Sequence, residues 1–145
     1  MHSEPLTPNQ IAALHQRATA AAQNSHSPYS HFRVGAALLL HADERQDGAM
    51  VAGTNVENAS YRLTSCAEQA AIAAAVTLYG PDLRIRAIAV VNLNSAACTP
   101  CGACRQTILE FSTPETLVFY PSATGETVQT TLAALLPAAF RLLPE

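Results

Sequence analysis

Phe32-Arg33-Val34-Gly35-Ala36-Ala37-Leu38-Leu39-Leu40 decides the fold. After Arg33 the run is wholly apolar and has no face to offer water. A strand of that kind buries both faces, as in a sheet covered by helices on each side. The polar stretch Asp43 to Gly48 follows and ends in Asp-Gly, a hairpin signal. Met50-Val51-Ala52-Gly53 is then the returning strand, antiparallel to the first.

Upstream, Thr7-Pro8 opens a helix with a capping hydroxyl and a proline in the first turn. Ile11, Leu14, Ala18 and Ala21 or Ala22 share its apolar face, and the pattern runs out near Gln23-Asn24. Ser27-Pro28-Tyr29-Ser30 is turn chemistry leading into the strand. Downstream, Asn55-Val56-Glu57-Asn58-Ala59-Ser60-Tyr61 is aperiodic and dense in polar side chains. A helix starting at Ser65 or Cys66 carries Ala71, Ile72, Ala75 and Val76, and Gly80-Pro81 ends it. Ile85 to Leu93 is a second buried strand, and a third helix opens at Pro100-Cys101 and reaches about Phe111. Leu117-Val118-Phe119-Tyr120 is a short strand and Thr131 to Leu136 a short apolar helix. A hairpin followed by alternating helices and strands predicts an α/β fold, a three-layer αβα sandwich with a mixed β-sheet. No repeat, linker or low-complexity tract interrupts it, so residues 1–145 are expected to form a single domain.

Composition narrows the function. The chain is 49% hydrophobic and 13% charged, with much of the apolar content in alanine, which lets helices approach closely and favours surfaces buried against further copies. A net charge of -3, with all eight basic residues arginines scattered without a run, argues against nucleic acid as a partner. No stretch approaches the roughly 18 apolar residues that span a membrane. The opening Met1-His2-Ser3-Glu4-Pro5 lacks a signal-peptide pattern, and a cytoplasmic chain is expected. In that setting four crowded cysteines are metal ligands or redox groups before they are disulfides.

Those cysteines fall in two pieces, Thr64-Ser65-Cys66-Ala67-Glu68-Gln69-Ala70-Ala71 and Thr99-Pro100-Cys101-Gly102-Ala103-Cys104-Arg105-Gln106. Cys66, Cys101 and Cys104 make a three-sulfur zinc site with one position open, and open zinc sites do chemistry where closed four-ligand sites are structural. Helix N-termini meeting there would offset the thiolate charge. Taken alone, Cys101 and Cys104 also suit the lesser alternative of a thioredoxin-like redox pair or buried free thiols. Cys98 is read as a core thiol at the strand end. Glu68 has two readings: acid/base group beside the metal, or the returning carboxylate of a capping box begun at Ser65. Most of the histidines, His2, His15, His26, His31 and His41, are expected in solvent, with the His26/His31 pair flanking a turn that could lie near a site.

Cys66-Ala67-Glu68 followed by Pro100-Cys101-x-x-Cys104-Arg105-Gln106 resembles the cytidine deaminase family, in its small form that holds zinc with three cysteines. The resemblance extends through Pro28-Tyr29-Ser30-x-Phe32-x-Val34-Gly35-Ala36-Ala37, through Gly53-x-Asn55-Val56-Glu57-Asn58-Ala59-Ser60-Tyr61, and to Leu135-Leu136-Pro137-x-x-Phe140. It implies zinc-dependent hydrolytic deamination of cytidine and deoxycytidine in pyrimidine salvage, with one zinc per subunit on Cys66, Cys101 and Cys104. A neighbouring activity, on blasticidin-S-like or modified cytidines, is the alternative. In this resemblance Glu68 moves protons between water, the ring and the departing amine. Phe32 packs on the pyrimidine, Asn55 and Glu57 hold the ribose hydroxyls, and the Ala67 backbone meets the base edge. Ala59, Tyr61 and Phe140 would reach a neighbouring subunit's site in a homotetramer. The partner is a small-molecule nucleoside. One departure stands out: the small form often carries arginine directly after the catalytic glutamate, and here that position is Gln69. The expectation is that helix N-termini, with Arg105, take over its charge compensation.

Overall fold

The computed structural model describes residues 5–42 and 48–143; the Asp43–Asp47 part of the hairpin signal, His2 and the N-terminal residues up to Glu4 lie outside them. Helix α1 spans Pro8–Ala22. Thr7 caps it in a reciprocal box: the Gln10 N–H donates to Thr7 Oγ1 at 3.1 Å, and the Thr7 N–H donates to Gln10 Oε1 at 2.9 Å. Strands β1 (Val34–Leu40) and β2 (Met50–Thr54) pair antiparallel, with Ala37 opposite Ala52. A single turn of 3-10 helix, Tyr61–Leu63, precedes helix α2, Ala67–Tyr79, which Gly80 ends with a φ of 85°. Strand β3 (Ile85–Asn92), helix α3 (Gly102–Glu110), strands β4 (Ser112–Pro121) and β5 (Thr127–Thr131), and the short helix α4 (Leu132–Leu135) complete the described chain.

The sheet order is β2-β1-β3-β4-β5, with β3 and β4 parallel and the other neighbours antiparallel. The expected mixed sheet is therefore present. β1 is buried along its whole length. Its alternate residues feed two cores, as period-2 geometry requires. Ala36, Leu38 and Leu40 join Ile72, Ala75, Ile88, Val90 and Ile108 on the face covered by α2, α3 and α4. Ala37 and Leu39 join Leu14, Ala18, Ala87, Ala89 and Phe119 on the face covered by α1.

Two glycines set how deeply the helices sit. A Cβ on Gly35 would lie 1.9 Å from the Ala18 carbonyl oxygen of α1, and one on Gly53 would lie 2.4 Å from the Ala71 nitrogen of α2. No side chain fits at either place, so each helix backbone rests directly on the sheet.

The structure corrects several sequence-level expectations. β4 is ten residues rather than four, and β5 was not anticipated. β5 is a polar, β-branched edge strand, Thr127-Val128-Gln129-Thr130-Thr131, paired with β4 alone, so it needs no apolar alternation. His15 is half-buried rather than free in solvent: its Nδ1 lies 2.9 Å from the Ile11 carbonyl, and its ring meets Phe119 edge-on at 5.6 Å. His41 is half-buried, and burial holds its pKa below the usual imidazole value.

Candidate metal centre and nucleoside site

Cys66 and Cys101 are the N-caps of α2 and α3, and Cys104 lies in the first turn of α3. Both chains enter their helices from extended backbone, with ψ of 155° at Cys66 and 171° at Cys101, which turns the two helix starts toward a common point. The three sulfurs all lie within 4.8 Å of one another. Tetrahedral ligation at a Zn–S distance of ~2.3 Å places sulfurs roughly 3.8 Å apart, so this donor set fits zinc after small side-chain adjustment. Among the described residues no other group of three His, Cys, Asp or Glu is arranged to hold a metal.

A hydrogen bond from Cys104 brings the Cys66 thiol down to about 7, and the same bond pushes Cys104 up. The positive ends of α2 and α3 favour the negative charge that three thiolates accumulate. Cys98 stands outside the triad. It lies in the 93–101 connection rather than at the strand end, because Asn92 closes β3 by accepting the Asn94 and Ala96 N–H groups at 2.9 and 3.1 Å. There Cys98 packs half-buried against the core, and burial pushes its thiol up to about 11.

Glu68 does not close the capping box. The helix begins one residue later than the Ser65 reading requires, and the acceptor that returns to the cap is Gln69, whose Oε1 takes the Cys66 N–H at 3.2 Å. Glu68 is instead turned inward, 5% exposed, with its carboxyl near Cys104. Burial raises its pKa, with hydrogen bonds from its own N–H and from Cys104 pulling the other way. Ala67 is fully buried in the first turn of α2, where backbone N–H groups have no partner inside the helix.

A second cluster lies beside the 55–57 loop. Asn55 is buried, and its amide is nearly saturated: Oδ1 accepts from the Val34 N–H at 3.0 Å and from Ser25 Oγ at 2.5 Å, while Nδ2 donates to the Phe32 carbonyl at 2.7 Å. The Glu57 carboxylate accepts the Tyr29 and Ser30 N–H groups at 2.9 and 3.2 Å and the Ser30 hydroxyl. The Ser30 hydroxyl is the main reason its pKa lies below the usual carboxylate value. Against the full capacities of an amide and a carboxylate, one Nδ2 hydrogen and about one carboxylate lone pair remain. Phe32 is half-buried against the core that α2 covers. His26 does lie beside this loop, its N–H bonded to the Asn55 carbonyl and its carbonyl to the Glu57 N–H, whereas His31 is exposed.

Sequence reasoning left the detailed role of Arg105 unread. Its Nε donates to the Pro100 carbonyl at 2.8 Å and Nη1 to the Leu135 carbonyl at 2.7 Å, tying the cysteine loop to α4. Next to it, Gln106 Nε2 donates to the Phe140 carbonyl at 3.0 Å. Part of the Arg105 fork is therefore committed to backbone carbonyls. Ala59, Tyr61 and Phe140 are all exposed, Tyr61 at 88% and Phe140 at 70%.

Comparison with known proteins agrees with this geometry. A profile of the cytidine and deoxycytidylate deaminase zinc-binding region matches residues 8–120. The chain is 41% identical over 125 residues to a cytidine deaminase of Halalkalibacterium halodurans, covering 86% of this chain and 89% of that protein. It is 42% identical over 129 residues to a cytidine deaminase of Mycobacterium tuberculosis, covering 89% and 88%. The crystal structure of cytidine deaminase from Burkholderia pseudomallei superposes with a TM-score of 0.77 at 40% identity, over 93% of this chain and 100% of that one. Sequence, fold and the converging cysteines thus agree: the chain belongs to the zinc-binding cytidine and deoxycytidylate deaminase family.

Proposed function

We infer that this protein is a zinc-dependent hydrolase that deaminates cytidine and deoxycytidine, giving uridine or deoxyuridine and ammonia. The observation that carries the reading is the meeting of Cys66, Cys101 and Cys104 within 4.8 Å, beside a buried carboxyl. Cys66, Cys101 and Cys104 hold one zinc per chain, which when bound supplies the Lewis acidity that brings the pKa of water toward neutrality. Glu68 takes one proton from the attacking water and delivers it to N3, then takes the second from the hydroxyl now on C4 and passes it to the amine as the C4–N bond breaks and C4=O forms. Its burial suits a group that must exchange protons repeatedly without solvent competing for them. A buried carboxyl with a raised pKa also holds a proton more readily near neutrality than an exposed one.

Phe32 lies under the pyrimidine and an Ala67 backbone group meets its edge. Asn55 and Glu57 take the sugar. Their remaining capacity, one donor and about one acceptor, suits a hydroxyl, which accepts from the amide and donates to the carboxylate. The exposure of Ala59, Tyr61 and Phe140 supports their reaching into a neighbouring subunit's site, in a homotetramer with shared sites. Residues 1–145 act as one catalytic domain, in the cytoplasm, on free nucleosides recovered for salvage. Among the described residues no helix is long and apolar enough to cross a membrane.

The test is to mix zinc-loaded protein with cytidine and deoxycytidine and follow the loss of cytosine absorbance. Turnover of both is expected, with one zinc per chain by elemental analysis. A fully loaded protein that turns over neither would overturn the assignment.

A further inference from the structure

We propose that Ser30 is a positioning residue that joins the sugar-reading carboxylate to the base platform. The proposal rests on the reading above, in which Phe32 carries the pyrimidine and Glu57 the sugar. The Ser30 hydroxyl donates to Glu57 Oε2, and the Ser30 Oγ in turn accepts the Phe32 N–H at 3.0 Å. On its other side, the Phe32 carbonyl accepts from Asn55 Nδ2 at 2.7 Å. Both peptide groups flanking Phe32 are thus tied to a residue that reads the sugar, one directly and one through Ser30.

The chain between Ser30 and Phe32 needs such a tie. His31 sits there with a φ of 59°, in the left-handed region that a residue with a side chain rarely adopts. A backbone held in that conformation persists when its surroundings determine it. The surroundings here are the Ser27 carbonyl, which accepts the His31 N–H at 2.9 Å, the Ser30 hydroxyl, the Asn94 amide, which donates to the His31 carbonyl at 2.9 Å and accepts the Arg33 N–H at 3.0 Å, and Asn55. Of these four supports, Ser30 is the one that ends on a charged group with capacity left for a ligand. A hydrogen bond to a carboxylate is stronger than one between neutral partners. When a sugar hydroxyl donates to Glu57, it shares the carboxylate with Ser30, so sugar occupancy is felt at the Phe32 peptide. Binding at a part of the substrate that does not react then helps to orient the part that does.

The test compares two substrates across three proteins. In Ser30→Ala, kcat/KM for cytidine should fall about tenfold, mostly in kcat, while kcat/KM for 2′,3′-dideoxycytidine, which lacks the 2′- and 3′-hydroxyls, should change less than twofold. Ser30→Thr keeps the hydroxyl and should restore the cytidine preference. Ser30→Cys keeps the size but donates weakly, and it should lose the preference even if the alanine protein folds poorly. Zinc content and melting temperature identify a folded variant. Equal losses with the two substrates would make Ser30 merely structural and overturn the proposal, as would an unchanged cytidine rate in folded Ser30→Ala and Ser30→Cys. A zinc-loaded wild type inactive on cytidine is a separate outcome, which overturns the functional reading and this proposal with it.

Discussion

Gln69 Oε1 accepts the backbone N–H of Cys66 at 3.2 Å, so the residue that follows Glu68 fastens the first cysteine of the triad in place. At the position where the family resemblance leads us to expect an arginine beside the thiolates, this chain places a cap. Losing a side-chain cap costs about 0.5–2 kcal/mol of helix stability. Gln69→Ala should therefore lower the melting temperature of the apoprotein and speed zinc release to a chelator, whereas Gln69→Glu, which keeps the acceptor, should do neither. Gln69→Arg exchanges the cap for a cation that the thiolates favour, and it should keep its zinc. Stopped-flow chelation and thermal melts of the three variants check this, and a folded Gln69→Arg protein without metal would refute it.

Depth of seating is the next control on the site. A Cβ at Gly53 would meet the Ala71 nitrogen at 2.4 Å, the Ala70 carbonyl carbon at 2.8 Å and the Ala67 oxygen at 2.9 Å, all backbone of α2. Nothing flexible can yield, so Gly53→Ala has to push the helix outward, and Cys66 and Glu68 move with its first turn. Overpacking of this kind costs about 1–3 kcal/mol. The expected result is a lower melting temperature together with weaker zinc binding, read by titration against a chelating dye. Gly102→Ala is the control: nothing lies within 4 Å of its Cβ, and helix propensity favours the change.

These two sites show what could be read from the chain and what could not. β1 was legible because seven consecutive residues, Val34 to Leu40, are apolar and all are buried. The meeting of Cys66, Cys101 and Cys104 was legible because spacing and residue type both constrain it. β5 was not, because an edge strand of threonines satisfies its pairing without any apolar pattern. The Glu57–Ser30–Phe32 chain was also out of reach. It joins positions 27 residues apart through a hydroxyl, and the course of the loop, set by a left-handed His31, decides who meets whom. The Glu68 capping reading failed by one residue of helix register, and register at helix ends is a tertiary outcome here: Cys66, not Ser65, sits at the last extended position.

Glu57 gives a pH signature distinct from the metal centre. The Ser30 hydroxyl and two backbone N–H groups hold its folded-state pKa below the ordinary 4.5. A depressed carboxylate stabilises the fold fully above that ordinary value and loses its contribution as pH falls through the lower, folded one. Glu57→Gln should accordingly melt below the wild type at pH 7, and the gap should close as the pH is taken down past 4.5. Thermal melts of the two proteins across that range measure it. A gap that stays constant into acid would mean that shape rather than charge at Glu57 supports the loop.

Zinc content separates ligands from bystanders. Cys66, Cys101 and Cys104 meet within 4.8 Å, and Cys98 is not among them, although Cys98-Thr99-Pro100-Cys101 has the same C-x-x-C spacing as Cys101 to Cys104. The Asn92 turn explains the difference, since it directs the chain away from the β3 axis before Cys98 and leaves that thiol packed on the core. Each of Cys66→Ser, Cys101→Ser and Cys104→Ser should lose stoichiometric zinc, and Cys98→Ser should keep it. Glu68→Gln should also keep its zinc while turnover falls by about two to four orders of magnitude, the range general acid–base groups supply. Because Glu68 is buried without serving the cap, this substitution should leave the start of α2 in place, so its effect belongs to proton transfer. Metal analysis of the five proteins beside their cytidine turnover gives the answer. Zinc lost from Cys98→Ser would redraw the ligand set, and normal turnover in Glu68→Gln would take the proton chemistry away from this carboxyl.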